Sequence, residues 1–262
     1  MRVLILVALL GAAFAAPQSQ RIAGGEDTTI QQYPFFANIN YGLLGIWGLH
    51  CGGSLISNSV VLTAADCVKG HFAFTFRVRL GSSTPGSGKN FNVEDFKTHE
   101  RFDSPRQAND IALMFLSTRA SPSNTIGFAR IPGLSYTVAD NTSVVAVGYG
   151  DLRENGDNPE MLQSVELFTV NQEYCSEQYA YLKTQPDRED TPIVSEDMLC
   201  VGLTGIGGKG FCKGDEGGPI VIEKDIVVGV ASWRYRCGDP VYPGVATRVG
   251  SYADWIVANG GV

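Results

Sequence analysis

No CxxC pair occurs in this 262-residue chain, and no cysteine stands beside a histidine at zinc-finger spacing, so its six cysteines do not read as a zinc site. Histidine is scarce: there are only His50, His71 and His99. Basic charge is also short, 20 Lys and Arg against 27 Asp and Glu. With Arg2 and Arg21 in segments expected to be removed, the remaining 18 leave a net charge of about −9. That balance argues against nucleic acid and anionic membranes as partners. No apolar run is long enough to span a bilayer. Internal repeats and low-complexity linkers are absent as well.

What is present begins with an export signal. Arg2 supplies a positive start, Val3 to Leu10 an apolar stretch, and Ala13-Phe14-Ala15 a small-residue cleavage site, so residues 1–16 are expected to be a signal peptide. The mature protein is then expected to be secreted, without a membrane anchor. Six cysteines in an exported chain predict three disulfides, with fifteen pairings open. Asn141-Thr142-Ser143 is a candidate glycosylation sequon. From Tyr33 onward, short runs of period-two alternation between Gly, Asn and Ser clusters predict an all-β protein. Phe74–Leu80 is the cleanest, with Phe74, Phe76, Val78 and Leu80 on one face. Further strands are expected at 35–41, 60–63, 111–116, 143–148, 162–169, 219–222 and 226–232, and helices near 172–180 and 251–259. A Ser-, Pro- and Asn-rich stretch, 120–131, is placed to join two halves.

Five motifs fall in a telling order: Cys51-Gly52-Gly53-Ser54, Leu62-Thr63-Ala64-Ala65-Asp66-Cys67, Asn109-Asp110-Ile111-Ala112-Leu113, Cys212-Lys213-Gly214-Asp215-Glu216-Gly217-Gly218-Pro219, and Ser232-Trp233 with Tyr242-Pro243-Gly244-Val245. Together they resemble the trypsin-like serine proteases, invertebrate digestive trypsins above all, over residues 22–262. The resemblance implies two six-stranded antiparallel β-barrels with a C-terminal helix, a cleft between them, and the pairs Cys51–Cys67, Cys175–Cys200 and Cys212–Cys237. It also makes residues 17–21 a short propeptide cut after Arg21, freeing the Ile22 ammonium to reach Asp215.

The same resemblance exposes departures. Of the family's catalytic triad only Asp110 is kept; Asp66 stands at the histidine position and Glu216 at the serine position. Acyl transfer needs a nucleophile and a base near neutral pKa, and Asp66 is too short and too acidic for the latter. The three histidines lie outside the motif, with His50 near enough to the cleft to matter but expected to pack. Gly214 and Glu216 hold the oxyanion-hole N–H groups, where a carboxylate ~4 Å from a developing oxyanion would repel it by about 4 kcal/mol. The specificity pocket is marked by Gly210, Ser232, Arg234 and Gly244. Gly210 replaces the family's floor aspartate. Arg234 replaces a wall glycine and would narrow the entrance and repel basic side chains.

The expectation is a secreted homologue without catalysis, a monomer needing no cofactor, that binds a protein partner: a protease, an inhibitor or a surface ligand. Two alternatives use the carboxylates. If Asp66, Asp110 and Glu216 converge, they would share a proton or hold a hard cation such as Ca²⁺ or Mg²⁺. The bland form, one raised pKa plus water, leaves no metal site. Unusual acid–base hydrolysis is the other alternative.

Overall fold

The computed structural model describes residues 22–134 and 136–261. The expected signal peptide and the 17–21 propeptide with Arg21 lie outside the described residues. After a turn at Ile22–Gly24, the first half contributes strands β1 (Glu26–Asp27), β2 (Phe36–Leu43), β3 (Ile46–Leu55), β4 (Val60–Thr63), β5 (Phe76–Leu80), β6 (Lys89–Thr98) and β7 (Ala112–Leu116). The second half contributes β8 (Ser143–Gly148), β9 (Gln163–Thr169), helix α1 (Gln172–Lys183), β10 (Met198–Gly202), β11 (Pro219–Ile222), β12 (Ile226–Trp233), β13 (Gly244–Arg248) and helix α2 (Ala253–Gly260).

Strands β2-β3-β4-β7-β6-β5 close into one antiparallel barrel. A second ring runs β9-β10-β13-β12-β11-β8 and closes through β8 pairing with β9, while β1 adds to the edge of β9. Closure leaves no open edge within either ring, which suits strands of such short length. The 120–131 stretch does pass between the halves: Ala129 N–H donates to the Leu55 carbonyl, and Val227 N–H to that of Arg130. Arg130 also forms a bidentate pair with Asp225, at 2.8 and 2.7 Å.

Strand β5 shows how alternation sets a face. Phe76, Val78 and Leu80 are buried while Arg77 and Arg79 point outward, Arg77 lying over the Trp47 ring at 4.2 Å. The expected strand starts two residues too early, however. Ala73–Thr75 form a 3₁₀ turn in which the Thr75 hydroxyl donates to the Phe72 carbonyl at 2.6 Å. That side chain–backbone bond competes with strand pairing. Phe74 is therefore turned out and stacks on Phe72 in solvent, 69% exposed against 1% for Phe76.

Strands β1, β3, β6, β10 and β13 lie outside the stretches expected as strands. In β3 glycines and polar residues break the alternation, and the reason is a close approach between barrels. A methyl group on Gly52 would lie 2.7 Å from the Gly218 Cα. β10 is buried at every residue and so carries no period-two signal. Both helices form where expected, with shifted ends. Asn171 caps α1 by accepting from Tyr174 N–H, and Cys175, Tyr179 and Leu182 give it a buried face. In α2, Gly261 at φ +62° ends the helix. The three disulfides pair as the family resemblance implies.

The two phenylalanines of the same alternating run separate the energetics. Phe76→Ala should destabilise by about 3–5 kcal/mol, and Phe74→Ala by no more than ~0.5 kcal/mol. Urea unfolding of each variant measures both; equal losses would contradict the turn at 73–75.

Candidate active site

A cleft of about 980 Å³ follows the seam of the barrels, and Asp66, Glu216, Ser232 and Arg234 line it. Asp110 lies just ahead of β7 and is buried. Its Oδ1 accepts the Asp66 backbone N–H at 2.8 Å, and its Oδ2 accepts the Ser232 hydroxyl in a short bond. Burial raises its pKa to about 6, against the lowering effect of those donors. Asp66 itself faces solvent at the cleft rim, where its Oδ1 accepts the Ser104 hydroxyl at 3.3 Å. What Asp110 orients is thus the backbone of Asp66, not its carboxyl group.

Glu216 sits on the tight turn between Cys212 and Pro219. Gly217, at φ +77°, brings that turn against Thr63 and the Gly52 carbonyl, where any side chain would collide. The Gly52 N–H donates to the Glu216 carbonyl at 2.8 Å, pinning the turn to the first barrel. The Glu216 side chain folds back on its own turn. Oε2 accepts the Gly214 N–H at 2.6 Å, and Oε1 accepts from Arg234 Nη1 at 2.5 Å. This ion pair is largely shielded, with the Arg234 side chain 13% exposed. Asp215 is buried behind the turn and accepts N–H groups from Gly150 at 2.7 Å and Cys212 at 2.8 Å. Burial raises its pKa to about 7. The Ala23 carbonyl accepts the Gly210 N–H at 3.1 Å, so the start of the described chain does reach this part of the second barrel.

Two expectations need correction. The carboxylates do not converge on one point: Asp66 turns to Ser104, Asp110 to Ser232, and Glu216 to Gly214 and Arg234. Among the described residues no three His, Cys, Asp or Glu side chains are grouped to hold a metal ion. Arg234, second, does not stand as a bare positive charge at the entrance, because Glu216 neutralises it.

Phe211 packs closely against Gly244, one of the positions expected to mark a specificity pocket. A methyl group on Gly244 would lie 2.5 Å from the Phe211 ring, and Phe211 is 2% exposed within the second barrel's core. A methyl group on Gly210 would lie 2.8 Å from the Gly238 nitrogen. Ser232 and Arg234 line the cleft, whereas Gly210, Phe211 and Gly244 lie outside its lining. Glu154 also accepts the Cys237 N–H at 2.8 Å, tying the 151–158 loop to the cleft wall. Burial raises the pKa of Asp151 in this loop, with Lys213 and Arg234 opposing the shift.

Sequence reading passed over Phe211, Glu154 and the pairing of Glu216 with Arg234. Opposite charges at two positions that the family resemblance puts in one cleft were the available signal for the last. His50 reaches the cleft lining, while His71 and His99 lie outside it. His50 donates from Nε2 to the Cys67 carbonyl at 2.8 Å, in a ring cluster with Tyr41, His71 and Phe76. His99 lies against Tyr252 and Trp255, and burial lowers its pKa. Asn141 is exposed on the turn before β8, at φ +56°.

Two closed six-stranded barrels flanking a cleft, with a buried aspartate on one side and a glycine-rich Asp-x-Gly-Gly turn on the other, define a trypsin-like serine endopeptidase frame. The chain belongs to the trypsin family: the family model described as Trypsin matches residues 22–256. It is 38% identical over 262 residues to "Trypsin, alkaline B" of Manduca sexta, covering 97% of this chain and 99% of that one. To "Trypsin" of Phaedon cochleariae it is 35% identical over 265 residues, 97% of each. To "Vitellin-degrading protease" of Bombyx mori it is 32% identical, covering 98% of this chain and 93% of the relative.

Asp110 sets a pH signature. Its folded pKa of about 6 exceeds the ordinary 3.8, so between these values the folded chain keeps a proton the unfolded chain has lost. Its stabilising effect is full below about pH 4 and is lost as pH rises toward 6. Asp110→Asn cannot titrate, so from pH 4 to 7 the variant should gain on the wild type by on the order of 3 kcal/mol. Urea unfolding across that range measures the gap, and a gap that stays constant would contradict the raised pKa.

Proposed function

We propose that this chain is a catalytically inactive member of the trypsin family, secreted, that acts by binding a protein as a decoy, cofactor or recognition element. The observation that carries the reading is the Glu216 carboxylate, bonded to Gly214 N–H and ion-paired with Arg234. Peptide hydrolysis in this frame requires a hydroxyl nucleophile, an imidazole to accept its proton, and free N–H donors for the oxyanion. At the first two places this chain has Glu216 and Asp66, and the third is occupied by Glu216's own oxygen. Loss of nucleophile and base together lowers turnover by on the order of 10⁶. A carboxylate already in the hole adds charge repulsion where the transition state gathers negative charge. Asp110 and Ser232 cannot take over, since each is buried and satisfied by the other.

Phe211 extends the reading from chemistry to recognition. With its ring against Gly244, the place where a long basic side chain would enter is already occupied by hydrocarbon. A trypsin inhibitor presenting Lys or Arg to this floor would meet neither the space nor the aspartate. The partner is thus expected to engage the cleft rim and loops instead of the pocket.

Chain cleaved after Arg21 should turn over Lys- and Arg-anilide substrates at least ~10⁵-fold more slowly than a trypsin assayed alongside. Asp66→His with Glu216→Ser and Arg234→Gly should still fail on these substrates until Phe211→Ser and Gly210→Asp are added. Steady hydrolysis by the unaltered chain, blocked by a serine-directed covalent inhibitor, would overturn the inactive reading. Turnover of basic substrates by the triple variant would overturn the filled pocket.

A further inference from the structure

The Glu216 side chain divides its two oxygens between unlike donors. One takes the Gly214 N–H at 2.6 Å, the other takes a single N–H from Arg234 Nη1 at 2.5 Å. A guanidinium can offer two parallel N–H groups to one carboxylate, and that forked geometry is the stronger one. Glu216 does not use it here: its backbone is fixed by the Gly52 N–H, and it must reach back to a residue only two positions away. The two donors therefore make a place for a carboxylate that the resident one fills without using the fork. That place opens on the cleft, lined nearby by Trp233, Tyr235 and Leu49, which offer apolar surface to a short chain.

We propose that Gly214 N–H and the Arg234 guanidinium form a carboxylate receptor, which Glu216 closes from within and which a peptide ending in a free carboxylate occupies by displacing it. The proposal rests on the cleft being a binding site rather than a catalytic one, and it names the ligand class: product-like peptides with a free C-terminus. Displacement is an exchange of one carboxylate for another. It leaves the charge at the donors unchanged and turns the Glu216 carboxylate out into water, where hydration offsets the lost pairing and the high dielectric weakens its repulsion of the incoming carboxylate. The receptor therefore discriminates by charge: a peptide amide has no carboxylate with which to compensate Arg234 and cannot replace Glu216.

The test titrates N-acetyl-Ala-Ala-Ala as free acid and as C-terminal amide into wild type, Glu216→Ala, and Glu216→Ala with Arg234→Gln, by calorimetry. A third peptide, N-acetyl-Ala-Glu-Ala amide, separates a side-chain carboxylate from a chain terminus. The free acid should bind Glu216→Ala at least about tenfold more tightly than wild type, the resident competitor being gone, and lose at least about tenfold when Arg234 is also replaced. The amide should bind none of them measurably. Equal affinity of acid and amide, or no gain on removing Glu216, overturns the receptor. Tighter binding of the Glu-containing amide than of the free acid overturns the assignment to a chain terminus. Should Glu216→Ala not fold, Glu216→Gln keeps the side-chain volume and is held to the same ordering against wild type. Mass analysis of the peptides after titration keeps the two readings apart. Intact peptides with no binding sink the receptor alone, whereas cleaved peptides sink the non-catalytic reading.

Discussion

The Glu216 carboxylate, held between the Gly214 N–H and the Arg234 guanidinium, is the constraint around which this cleft is arranged. A lone carboxylate at this half-buried spot would be costly, and a lone guanidinium across from it equally so. Each makes the other tolerable. The turn that carries Glu216 is fixed independently, through the Gly52 N–H and the close packing of Gly217 on Thr63. The fixed backbone places the Glu216 side chain within reach of Arg234, which compensates the charge it brings. Glu216 and Arg234 therefore act as one charge-compensated unit.

The pocket behind them follows a separate logic. Phe211 fills the space beside Gly244, and the backbone at 208–210 packs directly on Gly238, with the Gly208 N–H donating to its carbonyl at 2.8 Å. Hydrocarbon in this position adds to the second barrel's core, in one buried cluster with Ala231 and Ala246. The closure of the barrels does not depend on it, but on strand pairing and on buried residues such as Ile39, Leu62 and Leu113, none of which belongs to the cleft. A frame this independent of its site can be kept while the site changes.

Much of that frame was legible in the chain because it rests on local pattern. β4, β8 and β11 fall where short apolar runs between turn residues place them, and α1 begins at its asparagine cap. Strands failed to register where the signal is not local. β10 is buried on both faces, and β3 carries glycines that answer to Gly218 on the other barrel. The site divides in the same way. Asp66, Asp110 and Glu216 stand out because a motif fixes their places within a few residues. Phe211 was invisible although it lies between two motif residues, since its meaning depends on Gly244, which only folding brings beside it. The Glu216–Arg234 contact joins residues eighteen apart. Each looked like an isolated loss when read alone, and the repulsion expected of Arg234 vanished once its partner was in view.

A double-mutant cycle tests that coupling most directly. Unfolding free energies of wild type, Glu216→Ala, Arg234→Ala and the double variant, at neutral pH and moderate salt, isolate the interaction between the two side chains. A shielded, charge-assisted pair predicts a coupling of about 1–3 kcal/mol, with the double variant more stable than the sum of single losses implies. Additive losses, with coupling within ~0.3 kcal/mol of zero, would mean that Glu216 and Arg234 do not hold each other, and the account of a cleft closed by its own carboxylate would fall.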